Sequence, residues 1–231
     1  MLYLIKLELK KNKLGWFIKG IILANFITLG LLCMISAVEK IEGKQTFKSF
    51  TDFFMISGAM VRGVIIVFAA VLISKVIIDE FKNRTHLVMF SYPVNRKKIL
   101  SAKLILIFTL TLVTMLISNL FVITGFIGMN QIFHLTSSMS LTVTDYFAGI
   151  LNQLMFNLAT AGAALVPIYF GMRRFSTQAT IISSLLIVMV TSSTGAGFSL
   201  ASIIYIPLAL ALIALGIVVL AVRNIEHIDL G

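Results

Sequence analysis

Six long apolar runs fill most of the sequence, and they constrain the fold more than any other feature. They cover residues 17–38, 54–78, 104–129, 147–170, 178–195 and 200–222. A helix that crosses a bilayer needs about 20 such residues. Over the whole chain 59% of residues are hydrophobic and 12% charged, whereas a soluble domain carries about 25% charged residues. So little polar surface cannot cover so much apolar volume, and in lipid the backbone polar groups must be satisfied within helices. The sequence therefore predicts an all-α integral membrane protein with six transmembrane helices. Those spans use most of the 231 residues, so residues 1–231 form a single transmembrane domain with no separate soluble one.

The flanks of the runs orient the chain. Residues 1–16 read as an interfacial helix: Leu2, Ile5, Leu9 and Trp16 share one side, and Lys6, Lys10 and Lys13 line a neighbouring one. A plain basic flank that only sets topology is the other reading of this segment. The first run follows a long basic segment and is too long for a signal-peptide core, so it is read as a retained span. The amino-terminal segment with Lys19, the Lys75–Lys103 region, Arg173, Arg174 and Arg223 hold 15 of the 19 lysines and arginines. Lys40, Lys44 and Lys48 on the opposite side are diluted by acids. By the positive-inside rule both termini lie in the cytoplasm. The net charge of +10 is thus read as topogenic and lipid-facing, with no nucleic acid as partner. Arg62 and Lys75 sit inside the second run but towards its ends, where they can snorkel to water; Arg62 facing a vestibule, where it would meet a substrate or a partner subunit, is the other reading.

The longest polar interruption is Ile78–Lys103. Asp79 and Glu80 open a polar helix as the second span ends. Phe81, Thr85, Val88 and Tyr92 recur at spacings of four, three and four, one face of a helix about three turns long. Pro93 ends it, because the residue before proline is pushed to extended geometry. Asn95 can cap the next helix, and Arg96, Lys97 and Lys98 fall in its first turn, where cations oppose the helix dipole. Their placement suggests another task, such as anchoring to anionic lipid or meeting an acidic partner. A solvated loop is the plain reading of the segment, but a helix this short gains little in water unless it docks, so the segment reads as a docking element.

The chemistry of catalysis is missing from the sequence. There is no GxxxxGK[ST], no HExxH and no GxSxG. His86, His134 and His227 are dispersed, and the single cysteine, Cys33, permits no internal disulfide and reads as a packing residue. Asn25, Asn119, Asn152, Gln153 and Asn157 lie within spans, and helix-to-helix hydrogen bonding accounts for them without a substrate site.

In layout, and in the run Glu80-Phe81-Lys82-Asn83-Arg84-Thr85, Leu87, Ser91-Tyr92-Pro93-Val94-Asn95-Arg96-Lys97-Lys98-Ile99-Leu100 and Lys103, the chain resembles the membrane subunits of ABC-2 type ATP-binding cassette transporters. In that family an acidic residue, a small-residue–threonine step, a P-[VI]-[ST]-R turn and a following lysine recur between spans two and three. Arg84 stands where the family often has glycine, and Asn95 stands where serine or threonine is usual. The resemblance implies that residues 79–92 form a cytoplasmic coupling helix. The contacts to a separate cassette ATPase would then be Asp79, Glu80, Phe81, Asn83, Arg84, Thr85, Val88, Tyr92, Pro93, Asn95 and Arg96.

The same resemblance implies a working unit of two ATPases and two permeases, the second permease being an identical copy or a close paralogue. ATP and Mg would be held by the ATPase, with no cofactor and no catalysis on this chain. It implies a multi-pass protein of the cell membrane that exports peptide, antimicrobial or lipid-like molecules. An ATP-independent secondary carrier or small channel, and a non-transport scaffold or sensor partner, are the alternatives.

Overall fold

The fold is organised around the second helix. A computed structural model describes residues 7–9, 11, 15–42, 50–82, 96–133, 143–174, 176–192, 194–195, 198–199 and 205–224. Helix α1 is Gly15–Glu42 and α2 is Phe50–Ile73. A π-helical turn, Ser74–Ile78, leads from α2 into the short α3, Asp79–Lys82. Then follow α4, Arg96–Phe133, α5, Val143–Ala163, α6, Pro167–Arg174, and α7, Thr177–Ser192. A two-residue antiparallel ribbon pairs β1, Thr194–Gly195, with β2, Phe198–Ser199, and α8, Tyr205–Asn224, comes last.

Four stretches are long and apolar enough to cross a membrane: Gly15–Val38, Asp52–Lys82, Lys98–Ile132 and Gly149–Arg173. Thr177–Ser192 and Leu208–Val219 are shorter apolar helices. The second stretch is the centre of the bundle, because 72% of its most apolar window is buried, against 22% for the first. Leu23, Phe26, Ile27 and Met34 of α1 are exposed, as are Leu151, Leu158, Leu186, Met189, Leu212 and Val219 on α5, α7 and α8. An outward apolar face of this kind suits lipid as solvent.

Close approach of the helices depends on small residues, as is usual in membrane bundles. A Cβ on Gly149 would come within 2.6 Å of the Phe54 ring, and one on Gly162 within 2.7 Å of Ala211 Cβ. Phe53 stacks on Phe126 with centroids 4.5 Å apart, locking α2 to α4. Hydroxyls within the spans return their protons to their own helices. Thr28 donates to Ala24, Ser36 to Leu32, Thr111 to Ile107 and Thr191 to Ile187, each to the carbonyl four residues back.

The structure refines the sequence reading at three points. In the fourth run, 147–170, Pro167 is the residue from which the sequence leads one to expect a kink or an end, and the helix is broken just before it, at Ala164–Val166. Pro167 has no N–H to offer the Ala163 carbonyl, and the Val166 N–H takes it at 3.0 Å. The fifth run stops being helical at Ser192 rather than at 195, and the ribbon begins at Thr194. Arg62 is 3% exposed and so does not snorkel. It lies twelve residues into a helix that begins at Phe50, and α5 covers it.

Candidate functional site

At the end of the bundle where α2 gives way to the polar stretch, charged side chains from three parts of the chain meet. The π turn prepares the meeting. The Asp79 N–H donates to the Ser74 carbonyl, five residues back. The extra residue in the turn rotates everything beyond it relative to the face of α2. Glu80 then points at α4, where Lys103 is 2% exposed.

Lys103 has three N–H donors, and three oxygens stand around its Nζ. It donates to the Val76 carbonyl at 3.1 Å and to Glu80 Oε2, and Glu8 Oε1 lies 3.5 Å away. Glu80 Oε1 accepts from Lys11 Nζ at 2.6 Å. The result is an alternating row, Glu8, Lys103, Glu80, Lys11, with no net charge. A buried ammonium is costly unless paired and hydrogen-bonded, and here the pairing joins the amino-terminal segment, α3 and α4. Burial of the Lys11 ammonium works to lower its pKa, but the hydrogen bond and charge of Glu80, with the charge of Glu8, outweigh it and raise it.

Other contacts draw the same end together. Lys75 Nζ sits 4.0 Å from the centroid of the Trp16 ring, a cation–π contact between the π turn and the start of α1. Thr177 Oγ1, at the start of α7, donates to Asp79 Oδ1 at 3.4 Å. Gly171 of α6 lies against Ile78, whose Cδ1 would be 2.9 Å from a Cβ at that position. Phe81 is half-buried and packs against the main core.

Of the residues expected to contact an ATPase, Asp79, Glu80 and Phe81 lie in α3, and the first two join these networks. Arg96 opens α4. Asn83, Arg84, Thr85, Val88, Tyr92, Pro93 and Asn95 lie outside the described residues, as does most of the expected helix 79–92. The reading from sequence took Lys103 only as part of the family pattern, and it missed Glu8 and Lys11 as partners of Glu80. Glu8 did carry a signal, as the one acid among the four lysines of the first thirteen residues. The π turn left none, since neither glycine nor proline occurs between Ser74 and Asp79.

Deeper in the bundle the buried amides pair across helices. Asn119 Nδ2 donates to Asn157 Oδ1 at 3.1 Å, and Gln153 Nε2 to the Phe54 carbonyl at 2.7 Å. Asn25 is buried and Asn152 faces outward. Cys33 is a half-buried free thiol packed against the core.

Residues 4–172 match the model of a family described as ABC-2 family transporter protein. The chain is also similar to a Bacillus subtilis (strain 168) protein named "Uncharacterized protein YcbO", with 47% identity over 226 residues, 98% of this chain and 99% of that one. No solved structure matches it. The matched region runs from the amino-terminal segment into α6 and so contains every member of the charged row; the chain belongs to the ABC-2 family of transporter membrane proteins.

Proposed function

We propose that this chain is the membrane-spanning permease subunit of an ATP-driven exporter, moved by a separate cassette ATPase that docks on the polar stretch between α2 and α4. ABC-2 permeases are membrane subunits, and the family implies an ABC ATPase partner in general terms. In this reading ATP and Mg are bound by that ATPase, two copies of it work with two permeases, and the stretch and both termini face the cytoplasm. The distribution of lysine and arginine supports that orientation. The cargo is of the peptide, antimicrobial or lipid-like class.

One observation carries the reading: both ends of the polar stretch are fastened to the bundle by the Glu80–Lys103 pair. A loop that only connects two spans needs no such fastening. A lever that must pass a partner's motion to α2 and α4 needs it at its base. Glu80 and Phe81 then form the base, and the residues from Asn83 to Arg96 form the part that meets the ATPase.

Co-purification tests this. The chain extracted from its own membrane retains a cassette ATPase, and Arg96→Ala or Glu80→Ala lowers the retained amount or the ATP turnover of the complex. Ion-dependent flux by the purified chain without ATP would instead establish a carrier. An ATPase whose turnover and retention are indifferent to deletion of Phe81–Tyr92 would refute the docking.

A further inference from the structure

Arg62 is a buried cation that the charged row does not use. Its guanidinium lies 5.2 Å from the centroid of the Phe156 ring, and no hydrogen bond or ion pair to it is found among the described residues. A cation at membrane depth is costly, and such residues normally pair or line a pathway for charge. An aromatic face offsets part of that cost but supplies no acceptor for the five N–H donors of the guanidinium.

The surroundings form a cradle. Gly58 of α2 leaves room into which both Arg62 and Gln153 of α5 project. A Cβ on Gly58 would fall 3.1 Å from Arg62 Nη1 and 2.7 Å from Gln153 Nε2. Gln153 spends its Nε2 on the Phe54 carbonyl, while its buried Oε1 has no hydrogen-bond partner among the described residues. The cradle thus offers a cation with several donors beside one acceptor that needs a donor.

Among the described residues no carboxylate completes it. Of its nine acidic residues, none lies between Asp52 and Asp79, and none lies within Arg96–Phe133 or between Asp145 and Arg174. Asp52 is ten residues from Arg62, about 15 Å along the helix axis, and Asp79 is about 25 Å away in the other direction. A second copy in the same orientation brings the same acids to the same depths, so it cannot supply the counter-charge either.

We infer that Arg62 and Gln153, packed together against Gly58, form an anion site inside the membrane. It takes a phosphate-type group that carries a hydrogen-bond donor beside its charge, as in a hydroxylated phospholipid headgroup or a phosphate monoanion. The guanidinium holds the phosphate oxygens, where planar two-point contact is strongest, and Gln153 Oε1 accepts from the neighbouring hydroxyl. Entry is along the seam between α2 and α5, which carry the two halves of the cradle. That the bound molecule is cargo rests on the permease reading. The binding itself does not, and it is measured on this chain without an ATPase.

The full-length chain is purified from vesicles of equal parts phosphatidylglycerol and phosphatidylcholine, and the retained lipids are counted by native mass spectrometry. A parallel arm titrates inorganic phosphate into chain held in phosphatidylcholine alone. The parent retains phosphatidylglycerol in preference to phosphatidylcholine. Arg62→Gln weakens that retention by about tenfold or more, Gly58→Ala weakens it with every charge kept, and Lys19→Gln at the exposed start of α1 leaves it unchanged. Binding of inorganic phosphate that is lost in Arg62→Gln also supports the site and assigns its source to the free anion. The inference is overturned if the parent prefers neither anionic probe, or if Gly58→Ala and Arg62→Gln bind as the parent does.

Discussion

Removing the Lys103 ammonium by Lys103→Met is the sharpest perturbation of the charged row. It takes the shared partner from Glu80 and Glu8, whose side chains are 12% and 10% exposed. Stripping one member from a buried ion pair costs about 3–5 kcal/mol, mostly because the other charge is left buried. Here Lys11 stays on Glu80 and both carboxylates reach some water, so the expected loss is about 2–3 kcal/mol. Glu80→Gln leaves Lys103 with the Val76 carbonyl and Glu8, and about 2 kcal/mol is expected. The two changes together should cost less than their sum, with a coupling of about 1–2 kcal/mol, because either one alone already breaks the shared contact. The assay is a double-mutant cycle on the purified full chain in a maltoside micelle, with unfolding followed on titration with denaturing detergent. Additivity within about 0.5 kcal/mol would refute the claim that Glu80 and Lys103 act as one unit.

Gly149→Ala should destabilise the bundle by about 1–3 kcal/mol in the same assay, through overpacking, because its Cβ would press to within 2.6 Å of the Phe54 ring; an unchanged midpoint would contradict that contact. The Lys11 pKa is raised above its ordinary value of 10.5, so its contribution is fully present below that value and is lost as pH rises through the raised pKa. The stability gap between the parent and Lys11→Met should accordingly hold up to pH 10.5 and shrink above it. A gap that persists unchanged into strong alkali would show that Lys11 acts by packing alone.

Four of the six apolar runs were legible as candidate spans because lipid imposes a simple rule, that about 20 apolar residues make a crossing, whereas the last two runs form shorter apolar helices. Pro167 marked the weak point of the fourth run, although the break came just before it, at the residue whose N–H took over the orphaned carbonyl. For Arg62 the distance to the ends of an apolar run favours snorkelling over an inward-facing role, and its burial decides for the second. Its burial is decided instead by Phe156 and Gln153, more than ninety positions away, across a helix contact that no local pattern encodes. The charged row was hidden for the same reason. Glu80 lies 69 residues from Lys11 and 23 from Lys103, and its aim depends on a π turn without a sequence signal. The family pattern did mark Glu80 and Lys103 as a set, but it is the geometry that makes them one contact.

The central claim is that the polar stretch between α2 and α4 is the face on which an ATPase docks. A proximity measurement tests it most directly. The chain has one cysteine, Cys33, so Cys33→Ser combined with Val88→Cys places a single thiol on the stretch. A short thiol-to-amine cross-linker is added to membranes containing the chain, and Ile41→Cys at the far end of α1 serves as the comparison. The account predicts a cross-linked product between Val88→Cys and a cassette ATPase, and none from Ile41→Cys. Cross-linking of the ATPase to Ile41→Cys, or its absence from Val88→Cys in a complex that still retains the ATPase, would contradict it.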